Sequence, residues 1–132
     1  MATNKKFLIV EDEANLLYGL QAKLRVEGYD TITDDGTDKA DIMEKIKTLK
    51  PDYAVIDIIL PRVNGFDLLA EIKANPLTSN IPVFIFTNLS DADSRAKGEK
   101  LGADFYFIKT EFNLDEFVAK IKKIIANKEK II

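Results

Sequence analysis

A chain of 132 residues, 46% hydrophobic and 31% charged, has the size and balance of one globular domain with its own core. Its 22 acidic and 19 basic residues leave a net charge of −3, which gives no general attraction to nucleic acid. The absence of cysteine and histidine excludes disulfides, thiol nucleophiles, Ser-His or Cys-His catalysis and zinc on Cys or His, so a bound metal must sit on oxygen, as magnesium, manganese or calcium do.

The apolar run Phe7-Leu8-Ile9-Val10 predicts a strand over 7–10 covered on both faces, and it stops at Glu11-Asp12-Glu13. Leu16, Leu17, Leu20 and Leu24 follow at helical spacing, with Gly28 just past the end. Residues 29–33 alternate more weakly and read as an edge strand, followed by a turn at Asp34-Asp35-Gly36. Thr37 is placed to cap a second helix carrying Ala40, Met43, Ile46 and Leu49, which Pro51 stops. A third strand, 53–57, ends in Asp57. Beyond a loop bounded by Pro61 and Gly65, residues Phe66, Leu69 and Ile72 begin a third helix that fades before Pro76.

Pro82 opens a fourth strand, 83–87, ending in Thr87. Ser90 with Asp93 reads as a capping box for a fourth helix, 91–101, that ends near Gly102. Its apolar side is thin, mainly Ala92, Ala96 and Leu101, and Gly98 in its interior costs about 1 kcal/mol relative to alanine. A fifth strand, 103–108, runs up to Lys109. Asn113 with Glu116 forms a second box, opening a helix with Phe117, Val118, Ile121, Ile124 and Ile125. Residues 128–132 are expected to fray. No apolar stretch reaches membrane-spanning length and the start of the chain lacks the form of a signal peptide, so the expected location is cytoplasmic, with no membrane partner.

Strands and helices alternating five times predict an α/β fold, (βα)5, with a doubly wound five-stranded parallel sheet and right-handed crossovers. The weak second strand suits an edge, which favours the flavodoxin-like order 2-1-3-4-5. Strands one and three then lie together at the topological switch point, so Asp12 and Asp57 face each other, with Thr87 and Lys109 alongside. Singly, each residue has a plain reading: a helix-start acid for Asp12 or Glu13, a turn residue for Asp57, a strand residue for Thr87, a solvated amine for Lys109. Together, at one sheet edge, acids, a hydroxyl and an amine make a site for a divalent cation and a phosphoryl group.

Five motifs occur in order: Ile9-Val10-Glu11-Asp12-Glu13, Ile56-Asp57-Ile58-Ile59-Leu60-Pro61, Asn64-Gly65-Phe66-Asp67-Leu68-Leu69, the stretch from Pro82 to Thr87, and Leu101-Gly102-Ala103-Asp104 running into Lys109. With them the chain resembles the receiver domain of bacterial two-component response regulators over residues 4–127. The chemotaxis receiver shares the order 2-1-3-4-5. The resemblance implies that Asp57 is the phosphoacceptor, that Lys109 pairs with it, and that Thr87 donates to the phosphoryl group. It implies Mg2+, with Mn2+ as a substitute, held by Glu11, Asp12, Asp57 and the backbone carbonyl of Ile59. It further implies that Thr87 and Tyr106 form the switch: Thr87 moves to the phosphoryl group, Tyr106 turns inward, and the face of the fourth helix, fifth strand and fifth helix repacks. The implied partners are a sensor histidine kinase or phosphotransfer protein and a downstream protein target, with no direct nucleic acid; a homodimer through that face is a further option.

The chain departs from the family pattern at three places. Thr110 follows Lys109 where the family has proline, often through a cis bond; a cis bond to a non-proline residue costs about 2.5–4 kcal/mol, so the loop is either trans or strained. Asn88 follows Thr87 where the family prefers a very small residue. Ile59 and Leu89 are apolar at positions that flank the path of the hydrolysing water, which predicts a long-lived phosphorylated state. No output domain follows the last helix, so either a single-domain regulator or a piece of a longer one is expected. Thr110 and Asn88 also suit an interaction module of this fold that works without phosphorylation. A phosphohydrolase with an Asp nucleophile would want a second Asp where Ile59 stands. A flavin binder would need a Ser/Thr/Gly-rich phosphate loop where Glu11-Asp12-Glu13 stands.

Overall fold

Successive side chains of a strand point to opposite faces of its sheet, and here both faces are dry. The computed structural model describes residues 5–130. Five strands, β1 (Lys6–Val10), β2 (Asp30–Asp34), β3 (Tyr53–Ile56), β4 (Val83–Thr87) and β5 (Phe105–Ile108), alternate with helices α1 (Ala14–Val26), α2 (Lys39–Leu49), α3 (Gly65–Ala74), α4 (Ala92–Lys100) and α5 (Leu114–Lys130). All pairings are parallel and the sheet order is β2-β1-β3-β4-β5, as the weak second strand led one to expect.

On one face Leu8, Val10, Ile56, Ile85, Tyr106 and Ile108 pack against Ile42, Ile46, Phe66, Leu69 and Ile72 of α2 and α3. On the other, Phe7, Ile9, Val55, Phe84 and Phe86 pack against Leu17, Leu20 and Leu24 of α1 and Phe117 and Ile121 of α5. This second face is aromatic: Phe84 stacks on Phe105 with centroids 5.1 Å apart, and Phe86 on Phe117 at 4.0 Å.

Several boundaries fall elsewhere than the residue pattern predicts. The cap of α2 is Asp38, whose carboxylate accepts from the amides of Ala40 and Asp41, while Thr37 turns back to donate to Asp35. The buried stripe of α2 is Ile42, Met43 and Ile46; Ala40 and Leu49 are exposed. Positions spaced by three lag one full turn by about 60° at each step, so four of them sweep half the helix circumference and cannot share one face. Asp91, not Ser90, caps α4 by accepting from Ser94 N, because the helix starts one residue later than the Ser90–Asp93 box requires. Ala92 and Ala96 are exposed. Strand β2 is displaced one residue forward and takes in Asp34; β5 starts at Phe105 because Asp104 is engaged with Lys73 and Val83 N. The Asn113–Glu116 box forms in both directions, at 2.8 and 2.9 Å. Helix α5 continues to Lys130, past the point where fraying is expected; Ile131 and Ile132, like Asn4 at the other end, lie outside the described residues.

One close approach fixes the turn after β3. A Cβ on Gly65 would lie 2.4 Å from Ile58 Cα and 2.6 Å from Asp57 O, both backbone atoms that cannot step aside. At Gly19 the conflict would be with Leu114 Cδ1, the end of a flexible side chain. Gly65→Ala is therefore expected to lose about 3 kcal/mol in urea unfolding, clearly more than Gly19→Ala; equal midpoints for the two variants would contradict this packing account.

Candidate functional site

The register that pairs Val10 with Ile56 brings the ends of β1 and β3 side by side, and Glu11 and Asp57 are the next residues along. Backbone bonds hold both ends: Asp57 N donates to Val10 O, and Glu11 N to Asp34 O of β2. At the end of β5 the chain tightens into a single 3-10 turn, Lys109–Glu111. The Lys109 amine lies 2.7 Å from Asp57 Oδ2 and 2.7 Å from Glu11 Oε1. The second oxygen of each acid is used as well, Asp57 Oδ1 accepting from Ile59 N at 3.1 Å and Glu11 Oε2 from Glu13 N at 3.1 Å.

Burial sets the electrostatics. Glu11 is 4% exposed, and removal from water pushes its carboxyl above the ordinary range; the hydrogen bond from Lys109 acts against this without cancelling it. For Lys109 burial works downwards, but its hydrogen bonds to Asp57 and Glu11 outweigh that and hold the amine above its usual value. Asp12 points to solvent.

Glu11, Asp12 and Asp57 each offer one carboxylate oxygen within 4.8 Å of the others. They border a cleft of about 220 Å³ that Glu13, Ile59, Asn88 and Lys109 complete. Three hard oxygen donors of this kind fit magnesium or manganese. Glu13 stands at the N-cap of α1 without a side-chain cap bond; its amide serves to orient Glu11.

Not all the residues predicted for the site share the cleft. Thr87 ends β4 but is fully buried, and its Oγ1 accepts a long hydrogen bond, 3.4 Å, from Leu89 N. Tyr106 sits inward on the α3–α4 side, 7% exposed, with its hydroxyl donating to Leu89 O at 2.8 Å. Burial first, and then the charge of Asp91, raise its phenol above the ordinary value. Ile59 is half exposed and shares a neighbouring cleft with Leu89. No peptide bond among the described residues is cis, so Lys109–Thr110 is trans and the first of the two loop alternatives holds.

Residue pattern alone missed three participants. Asp34 is buried, accepts from Gly36 N, pairs with Lys45 at 2.9 Å, and its carbonyl holds Glu11 N. The second arm of Lys109, to Glu11, was not expected. Gly65, known only as part of a motif, backs the Asp57 turn. Of the three, only Asp34 carried a signal, as an acid closing a strand of a sheet whose other strands close on polar groups.

Residues 7–122 match the model of the response regulator receiver domain. The alkaline phosphatase synthesis transcriptional regulatory protein PhoP of Bacillus subtilis is 33% identical over 126 residues, which cover 96% of this chain and 50% of PhoP. The phosphate regulon transcriptional regulatory protein PhoB of Pseudomonas aeruginosa is 32% identical over 121 residues, covering 92% and 52% respectively. The chain thus spans about half the length of these curated relatives. Among solved structures, a CheY-like response regulator receiver domain protein from Methanospirillum hungatei superposes with a TM-score of 0.85 at 25% identity, covering 98% of this chain and 100% of that one.

Removing the Lys109 amine would leave two buried carboxylates side by side. Lys109→Met is expected to lower stability by about 3 kcal/mol at pH 8. The sign of the pH dependence follows from Glu11. Its folded pKa, already raised, rises further without the amine, so the penalty is full where Glu11 must be charged and is relieved as pH falls through that value. The parent's own Lys109 contribution is lost only at alkaline pH, as pH rises through the raised amine value, and does not vary between pH 5 and 8. Urea midpoints of parent and variant should therefore converge from pH 8 to pH 5; a constant gap would refute the assignment.

Proposed function

The chain belongs to the response regulator receiver domain family, and on that premise we propose that it is a phosphorylation-dependent switch whose phosphoacceptor is Asp57. Receiver domains are signalling domains, not enzymes in the ordinary sense, and the family typically binds Mg2+ in an acidic pocket. The observation that carries the reading is the Lys109 amine bonded at 2.7 Å to a carboxylate that stands within an oxygen-donor cluster. A structural ion pair has no need of the third acid, Asp12, which faces solvent beside it.

The donor would be a phosphohistidine of a sensor histidine kinase or phosphotransfer protein. An Asp57 carboxylate oxygen forms the new P–O bond as the donor's P–N bond breaks; the imidazole leaves with the electron pair and takes up a proton from solvent. Glu11, Asp12, Asp57 and the Ile59 carbonyl would hold the cation. Bound there, magnesium, or manganese in its place, supplies positive charge against the phosphoryl oxygens. Lys109 transfers its hydrogen bond from Asp57 to a phosphoryl oxygen. Thr87 donates its hydroxyl to another, exchanging its contact with Leu89. The face of α4, β5 and α5 is the output surface, read by a downstream protein or by a second copy of the chain.

Incubation with acetyl phosphate and Mg2+ should add one phosphoryl group to the parent and none to Asp57→Asn, read by intact mass spectrometry. No gain in the folded parent would favour the receiver-fold interaction module that works without phosphorylation.

The lifetime of the adduct is a separate expectation. Ile59 and Leu89 line one cleft beside the acids and offer no hydrogen bond to a hydrolysing water. One such bond is worth about 1 kcal/mol, or roughly fivefold in rate. Ile59→Asn or Leu89→Glu should speed dephosphorylation by about that factor; an unchanged decay in both would refute the idea.

A further inference from the structure

Helix α4 has almost no apolar face: among the described residues its one buried position is Gly98, which carries no side chain. What lies against Gly98 is the ring of Tyr106. A Cβ there would lie 2.9 Å from Tyr106 Cδ2 and 3.0 Å from Cε2, with Phe66 Cε1 at 3.9 Å. Two further contacts hold the ring, and a third holds its backbone carbonyl. Its hydroxyl donates to Leu89 O in the loop after β4. The guanidinium of Arg95, one turn before Gly98, sits 5.6 Å from the ring centroid, and its Nη2 donates to Tyr106 O at 3.3 Å. The inward ring coexists with the direct ion pair between Lys109 and Asp57.

We propose that Gly98, with Arg95 beside it, is a positioning residue that seats Tyr106 inward, and that this ring is in turn the anchor holding α4 to the sheet. The argument is steric. An aromatic ring edge can enter the α4 surface only where the helix backbone is bare, and Gly98 is that place. The local preference runs the other way, since glycine weakens a helix interior relative to alanine. The glycine is therefore explained by what it admits and not by the helix it sits in. A ring that leaves the seat takes away the contact at the one buried position of α4, so the placement of Tyr106 bears directly on how α4 is docked. The value of that coupling for signalling rests on the receiver reading above; its geometry does not.

The test uses the full chain labelled with 3-fluorotyrosine. The chain has four tyrosines, and the Tyr106 resonance is assigned by its loss in Tyr106→Leu. In Gly98→Ala that resonance should shift towards the position of free fluorotyrosine, and the amides of residues 92–100 should exchange faster with deuterium while those of α3 and α5 do not. Thermal stability provides a sign reversal that a merely structural glycine would not show. Gly98→Ala should lower Tm in the parent, where the Cβ meets the ring, and raise Tm in Tyr106→Leu, where only helix propensity remains. An unmoved Tyr106 resonance, unchanged α4 exchange, or a Tm loss of equal size in both backgrounds would overturn the proposal. None of these readouts requires phosphorylation, so failure of Asp57 to accept a phosphoryl group would sink the receiver reading and leave the seat standing.

Discussion

The amine of Lys109 between Asp57 and Glu11 is the interaction on which the rest of the site depends. Like charges a few ångströms apart repel by about 1 kcal/mol in water and about 4 kcal/mol at the effective dielectric near a protein surface. A sheet edge that gathers three carboxylates must therefore contain a cation, and in this fold β5 delivers one from the opposite end of the sheet sequence. The order β2-β1-β3-β4-β5 is what allows it: Glu11 and Asp57 leave adjacent strands, and Lys109 reaches across the end of β4 to both. Burial holds Glu11 above its usual pKa even with the amine beside it, so its charged form depends on the cation it faces.

The fold was legible in the sequence because a sheet buried on both faces demands short, wholly apolar runs; four of the five strands are such runs, and each stops at a polar residue that cannot continue it. Element order, the edge position of β2 and the meeting of Asp57 with Lys109 follow from that. Helix starts were less legible. Thr37 and Ser90 are good capping residues, but each is followed by an acid at the residue that actually caps, Asp38 and Asp91, and the choice is settled by where the preceding loop ends. The α2 stripe was misplaced because a spacing of three resembles a helical face over two positions and drifts off it over four.

What the sequence could not reveal are contacts between elements distant in the chain. Lys109 reaching Glu11, Asp34 holding the Glu11 amide, and the close approach of Gly65 to the Asp57 turn depend on how far apart strands and helices come to rest. Glycine is the hardest case. Gly98 reads in sequence as a weakness of helix α4, and its purpose becomes visible only when the ring that occupies its missing Cβ is seen.

The two faces of β5 then explain why change at the site should travel in one direction. Phe105 and Phe107 are bound into the aromatic layer, stacked on Phe84 and edge-on to Phe112 and Phe117 beneath α5. Tyr106 and Ile108 point the other way, and the helix above Tyr106 contributes no large apolar side chain of its own. Dispersion over stacked rings opposes movement on the first face, whereas on the second the anchoring contact is one ring edge against one bare stretch of backbone. Elements with few buried apolar contacts are those that open at least cost. Movement at the ends of β4 and β5 would therefore meet less resistance on the α4 side than against the stacked rings of the other face.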